Sequence, residues 1–295
     1  MDTRSEAVET PLRVFWKRFK RHRLALVSAF ILIILGAAAI GATYVAPYHP
    51  NEINLDHLPS PGVPASPSWQ HLFGTDSMGR DYFSRAIYGA RISLSVGFVA
   101  VSISISIGVF VGALAGYLGG KTDEVLMRVV DFVLTFPTFF LILTIQSILT
   151  PSIYNVMIVI GLTGWASIAR VVRGEVLSVK NKDFVEAARA MGNSDLKIIV
   201  RHILPHTTAV IVVAATLGIP GAILTESALS FLGLGVQPPT ASWGNMLQNA
   251  NVYMRIAWWM SFFPGVLISI TVLAFNFVGD GLRDALDPKQ LQKKA

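Results

Sequence analysis

"DFVEAARAMGNSDLKIIVRHILP", residues 183–205, is a charged, glycine-broken stretch at the centre of a chain otherwise built from long uncharged runs. Phe184, Ala187, Ala188 and Met191 recur at i, i+3, i+4 and i+7, which predicts a short helix with one apolar face, Glu186 and Arg189 lying on the other. Asp183 is placed to cap that helix, with Glu186 reaching back at the capping-box spacing. Gly192 is placed to end it in a left-handed conformation, and Asn193 or Ser194 to cap the next turn. The second piece, "DLKIIVRHIL", is expected to run up to Pro205, so the whole reads helix, bend, helix. Connections between packed helices are usually far shorter than the roughly 30 residues available here. An apolar face on such an element needs a partner, and both a lipid surface and another protein satisfy it.

The surroundings set the class. Of 295 residues 53% are hydrophobic and 14% charged, and the mean hydropathy is +0.55, so the bilayer is part of this protein's solvent. The absence of cysteine removes disulfides, thiolate metal sites and cysteine nucleophiles together. A membrane helix needs about 20 mostly apolar residues. Residues 24–46 supply the first span, after an N-terminal segment 1–23. Residues 47–91 form an external loop, Pro-rich at first and helical from about Arg80. The core, 92–288, holds spans near 92–118, 125–149, 153–172, 206–225 and 256–280, and residues 289–295 form a tail. Residues 173–205 contain the central segment, and 227–254, rich in Gly, Pro and polar groups, is expected to be re-entrant or external.

An even number of spans puts both termini on one side. With the N-terminus inside, the basic N-terminal segment, Lys121, Arg128, the Lys and Arg residues of 170–201 and the basic tail are all inside, which leaves Arg80, Arg85, Arg91 and Arg255 outside. The net charge of +6 is therefore explained by orientation, and no nucleic-acid partner is expected. The first apolar run exceeds the 7–15 residue core of a cleaved signal, so it is expected to stay as an anchor.

Glu186, Ala187, Ala188, Gly192, Leu204 and Pro205 match in place the EAA pattern of permease subunits in binding-protein-dependent ABC importers, with His202 standing where the pattern has isoleucine. "FGTDSMGRDYFSRAIYGARISL", "GYLGGKTDEVLMRVVDFVLTFP", "SFLGLGVQPPTASWG" and "LAFNFVGDGLRDALDP" resemble one branch, the second permease of dipeptide, oligopeptide and nickel importers, and cover most of residues 72–288. The resemblance implies an all-α membrane protein with six spans in the type I importer permease fold, resident in a bacterial or archaeal cytoplasmic membrane. It implies that residues 183–205 form a coupling helix docking on a cytoplasmic ATPase, with Phe184, Glu186, Ala187, Ala188, Met191, Gly192, Leu204 and Pro205 as the coupling set. The implied partners are a second, non-identical permease, one or two ATPase subunits and an extracytoplasmic solute-binding protein touching the Pro-rich loop and residues 231–243. No cofactor is expected on this chain, ATP and Mg belonging to the partner subunits. Peptides are the implied cargo, with nickel complexes or glutathione-like solutes as alternatives within the branch.

"AGYLGGKT" nearly matches a phosphate loop, but Ala115 replaces the first glycine and the stretch follows an apolar span, so nucleotide binding is not expected. Ser104, Gly108, Gly112 and Gly116 form a small-xxx-small stripe that reads as helix packing. Arg128 and Asp131 are placed to pair, and Pro137 to kink the third span. Glu226, at the expected end of the fifth span, reads either as a gate group with Phe231, Gly233 and Trp243 or as an interface-solvated carboxylate. His202 and His206 have a metal spacing, but Pro205 lies between them and no third ligand follows. Tyr253, Trp258 and Trp259 read as an outer aromatic belt. Asp280, Arg283, Asp284 and Asp287 read as a solvated helix end. An ion-coupled transporter is the rival class, but the mid-span regions carry no charge and no repeat is visible. An intramembrane hydrolase lacks a Ser and His pair at workable spacing.

Overall fold

The computed structural model describes residues 11–286; the ends carrying Arg4, Asp287, Lys289, Lys293 and Lys294 lie outside the described residues. All regular elements among them are helical: α1 (Pro11–Phe19), α2 (Arg23–Ile40), α3 (Ala42–Val45), α4 (Tyr82–Leu118), α5 (Gly120–Thr135), α6 (Thr138–Ile148), α7 (Ile153–Val179), α8 (Asp183–Ala190), α9 (Asp195–Ile198), α10 (Leu204–Phe231), α11 (Trp243–Tyr253) and α12 (Trp259–Leu286). Five stretches, centred on α2, α4, α7, α10 and α12, are long and apolar enough to cross a membrane, and α5 with α6 makes a sixth if the bent pair is one span.

The expected short helix before the second span and the span itself are one element. α4 runs 37 residues from a cap at Asp81, whose Oδ2 accepts from the Ser84 amide at 2.7 Å. At 1.5 Å per residue it is about 55 Å long, well beyond a hydrocarbon core of about 30 Å. It ends at Gly119, whose φ of +67° turns the chain into α5.

The third span is bent by 79° between α5 and α6. Pro137 is the cause, because it cannot donate to the ladder and pushes Phe136 into an extended conformation. At Pro205 the outcome is the opposite of the expected stop. Residues Ile199–Ile203 widen into a π turn, which absorbs the missing amide of Pro205, and the helix continues into α10. α10 also runs past residue 225 to Phe231, so Glu226 lies within the helix. Residues 227–254 are not mainly irregular either, since α11 is capped at Ser242 by a complete capping box to Asn245.

α4 and α7 form the central pair. A Cβ on Gly108 would stand 2.7 Å from the Ile168 side chain, one on Gly112 2.5 Å from the Ala169 carbonyl oxygen, and one on Gly116 2.9 Å from Val176. Ser104 Oγ donates to the Gly161 carbonyl of α7 at 2.7 Å. The stripe therefore lies against α7 within the same chain, where only small side chains leave room for the two backbones. Elsewhere Phe19, Ala25 and Ala285 gather α1, α2 and the end of α12.

Candidate functional site

Two polar assemblies sit at opposite ends of α4. At the first, α8 and α9 lie against the last turns of α4 and α7. Val185 and Ala188 are buried among Tyr117, Val172, Val176, Ile198, Ile199 and Ile203. Phe184 is half-buried with its ring 4.4 Å from that of His206. Glu186, Ala187, Met191 and Leu196 are exposed, Met191 at 73% and Leu196 at 67%.

This corrects the expectation of one outward apolar face. With 3.6 residues per turn, Ala187 and Ala188 point about 100° apart, so an i+3, i+4 pair divides between faces. Ala188 turns inward with Val185, a residue the outward pattern omits, and Ala187 and Met191 stay outside. Leu204 also packs on the inner cluster while Pro205 is exposed. The expected cap differs as well: Lys182 occupies the N-cap without a side-chain bond, and Asp183 is already helical. Gly192 has φ +78° and an added Cβ would meet nothing within 4 Å, so the left-handed backbone alone demands glycine. Asn193 closes the turn, its Nδ2 donating to the Ala188 carbonyl at 2.9 Å.

Tyr117 reaches this segment from α4. Its hydroxyl donates to Asp195 Oδ1 at 2.9 Å, and the Arg189 guanidinium carbon lies 5.7 Å from its ring centre. Lys180 Nζ donates to the Gly116 carbonyl at 3.0 Å. The ion pairs here are not the expected Arg128 with Asp131. Arg173 makes a bidentate pair with Asp123 at 2.5 and 2.6 Å, and Asp131 pairs with Arg170 at 2.6 Å. Both partners come from α7, which the short spacing of 128 and 131 could not reveal.

At the other end Glu226 is fully buried. Ser230 Oγ donates to Oε1 at 2.7 Å, and Ser93 Oγ to Oε2 at 3.2 Å. The Trp243 amide donates to that same Ser93 hydroxyl at 3.3 Å, and its indole Nε1 to the Ala86 carbonyl at 3.0 Å. Ser230 Oγ accepts from the Val236 amide, and Asn245 Nδ2 donates to the Val236 and Thr240 carbonyls. The carboxylate is not interface-solvated, as one reading had it, but joins α4, α10 and the turn before α11. Phe231 is exposed and Gly233 forms a left-handed turn after α10. Trp243 is completely buried, so an incoming protein cannot touch it. Trp259 likewise turns inward, donating to the Thr75 carbonyl at 3.3 Å, while Trp258 is exposed.

A further assembly, which short-range spacing does not announce, lies before α4. Arg85 is 1% exposed and donates to the Pro50 carbonyl at 3.0 Å and Asn51 Oδ1 at 3.2 Å. Asp76 accepts from Arg80 Nε at 2.7 Å. Gly74 and Gly79, both at positive φ in the "GTDSMGRD" stretch, are the available signal for this tightly turned loop. Finally, a cavity of about 410 Å³ lies between α4, α6, α7 and α10. Its polar lining is Ser104, Thr138, Thr163, Ser167 and Thr225, with no charged residue.

Comparison with known proteins gives the family of this helical bundle. Residues 108–292 match the binding-protein-dependent transport system inner membrane component. The chain belongs to this family. Residues 10–61 match the N-terminal transmembrane domain of oligopeptide transport permease C, consistent with the dipeptide, oligopeptide and nickel branch. The glutathione transport system permease protein GsiD of Escherichia coli O6:K15:H31 is 45% identical over 285 residues, covering 96% of this chain and 92% of that one. GsiD of Shigella boydii serotype 4 matches to the same extent. Among solved structures, an inward-facing conformation of the MetNI methionine ABC transporter superposes with a TM-score of 0.57 at 20% identity, covering 68% of this chain and 96% of that one. A second crystal form gives 0.56 at 21% identity, covering 70% and 98%. This permease is thus a multi-pass transport subunit of an inner-membrane ABC importer with the type I fold.

Proposed function

We propose that this permease forms half of the translocation pathway of an ATP-driven importer of small peptides, glutathione among them. The observation that carries the coupling part is the split of residues 183–205: Val185 and Ala188 bind the segment to its own bundle, while Ala187, Met191 and Leu196 stay exposed among charged neighbours. Apolar side chains left exposed in this way call for a partner, and in this family reading the partner is the ATPase. Both termini and this segment are cytoplasmic, in accord with the distribution of Lys and Arg. ATP and Mg are bound by one or two partner ATPases, a second, non-identical permease completes the pathway, and an extracytoplasmic binding protein delivers the solute.

The cavity carries no charged residue, which argues against a bare ion, and the two glutathione permease relatives support a tripeptide. The test is purification of the tagged permease in mild detergent from its native membrane. A second permease and ATPase subunits should co-purify, and glutathione or dipeptide with the binding protein should stimulate ATP hydrolysis and uptake in proteoliposomes. A chain that purifies alone and moves solute down an ion gradient without ATP overturns the proposal.

A further inference from the structure

Tyr117 stands in the last turn of α4 and touches both limbs of the segment that bends at Gly192: Arg189 of α8 over its ring at 5.7 Å and Asp195 of α9 at its hydroxyl, 2.9 Å away. The other side-chain contacts of α8 and α9 with the bundle are the ring contact of Phe184 with His206 and the apolar packing of Val185, Ala188 and Ile198. Apolar contacts are non-directional. A hydrogen bond loses strength steeply with distance and angle. We propose that Tyr117 is the positioning residue that transmits movement of residues 183–205 into α4, and through α4 to the buried Glu226 assembly at its other end.

The path is continuous. α4 has no break between Tyr82 and Leu118, and its glycine stripe is locked on α7. Ser93, which joins Glu226 to Trp243, lies about 36 Å from Tyr117 along the same helix. Gly119 breaks the helix just after Tyr117, so a push on the tyrosine enters α4 rather than α5. A displacement at the coupling segment thus reaches the turn before α11 through α4, in parallel with α10, which continues from α9 through the π turn and carries Glu226.

The inference rests on the reading of residues 183–205 as the ATPase-docking segment, and the test separates the two. In the purified complex with its binding protein, uptake and ATP hydrolysis are measured together for wild type, Tyr117→Phe, Asp195→Ala and Asp195→Asn. Absence of ATP-driven uptake by the wild-type complex defeats the docking reading itself. Where wild type transports, Tyr117→Phe and Asp195→Ala should each lower solute moved per ATP about ten- to a hundredfold, the range for loss of one hydrogen bond to a charged group. The double variant should be no worse than Tyr117→Phe alone, because loss of the hydroxyl already removes the bond to Asp195. Asp195→Asn keeps an acceptor for the hydroxyl and should stay near the wild-type ratio. A merely structural role would lower uptake and hydrolysis together. An unchanged ratio in Tyr117→Phe and Asp195→Ala, or a loss in Asp195→Asn equal to that in Asp195→Ala, overturns the proposal.

Discussion

Ser93 Oγ stands between the backbone of Trp243, which donates to it at 3.3 Å, and the carboxylate of Glu226, to which it donates at 3.2 Å. One hydroxyl on α4 therefore ties the end of α10 to the start of α11. Ser230 adds the same kind of bridge, from Glu226 to the Val236 amide. Glu226→Leu leaves these buried hydroxyls without their acceptor, at about 1–3 kcal/mol per orphaned group. Glu226→Gln retains an acceptor oxygen and the volume. Thermal unfolding of the detergent-purified permease should show a large loss for Leu and a small one for Gln, with uptake following the same order. Equal unfolding temperatures for Leu and wild type would remove Glu226 from the assembly.

Gly192 makes a different demand, on backbone rather than space. Its φ is +78° and no atom lies within 4 Å of an added Cβ. Gly192→Val should straighten or distort the bend at a cost of about 1–3 kcal/mol, abolishing uptake while membrane insertion is unaffected. Gly192→Asn, which tolerates the left-handed region, should retain most uptake. Comparable uptake for Val and wild type would show that the bend is dispensable.

What the sequence makes legible is what depends on short spacing. The stripe of Ser104, Gly108, Gly112 and Gly116 is visible because its period of four names a single helix face. The bend at Pro137 and the left-handed turn at Gly192 are visible because each follows from one residue's covalent structure. Glu226 is illegible because its partners lie 133 residues away at Ser93 and in the bend after its own helix. Asp123 with Arg173 and Asp131 with Arg170 are hidden for the same reason, being 50 and 39 residues apart. Pro205 shows a different failure: proline predicts a stop, but a neighbouring π turn absorbs the lost hydrogen bond, and tertiary packing on α4 and α7 holds the helix together.

The glycines of α4 and α7 provide an internal contrast. A Cβ on Gly112 meets the Ala169 carbonyl at 2.5 Å and Val172 at 2.9 Å, and backbone cannot yield as a side chain can. Gly112→Ala should cost about 1–3 kcal/mol through overpacking, and Gly112→Leu should prevent assembly. Gly174, on α7, has nothing within 4 Å. Gly174→Ala should be neutral or stabilising by up to about 1 kcal/mol on helix propensity. Unfolding temperatures of the two alanine variants, measured in the same detergent, should move in opposite directions or at least differ clearly.

The two ion pairs should differ in the same way. Arg173 and Asp123 are 31% and 19% exposed and bidentate, whereas Arg170 and Asp131 are 56% and 59% exposed with a single contact. Double-mutant cycles should give a coupling of about 1 kcal/mol or more for the first pair and close to zero for the second. Equal couplings would mean that burial and bidentate geometry do not decide the strength here.

The outward and inward residues of the coupling segment lead to the sharpest contrast. Met191 and Leu196 are exposed, so Met191→Glu and Leu196→Glu leave no buried charge and should not change the unfolding temperature. They place a carboxylate where an exposed apolar side chain stood, and its desolvation against a partner is costly. Co-purification of the ATPase should fall for both. Val185 and Ala188 are fully buried, and glutamate there should unfold the segment, lowering the permease's own stability before any question of docking arises. If Met191→Glu and Leu196→Glu retain the ATPase at wild-type stoichiometry, the docking face lies elsewhere on the segment, and Glu186 with Ala187 becomes the next surface to substitute.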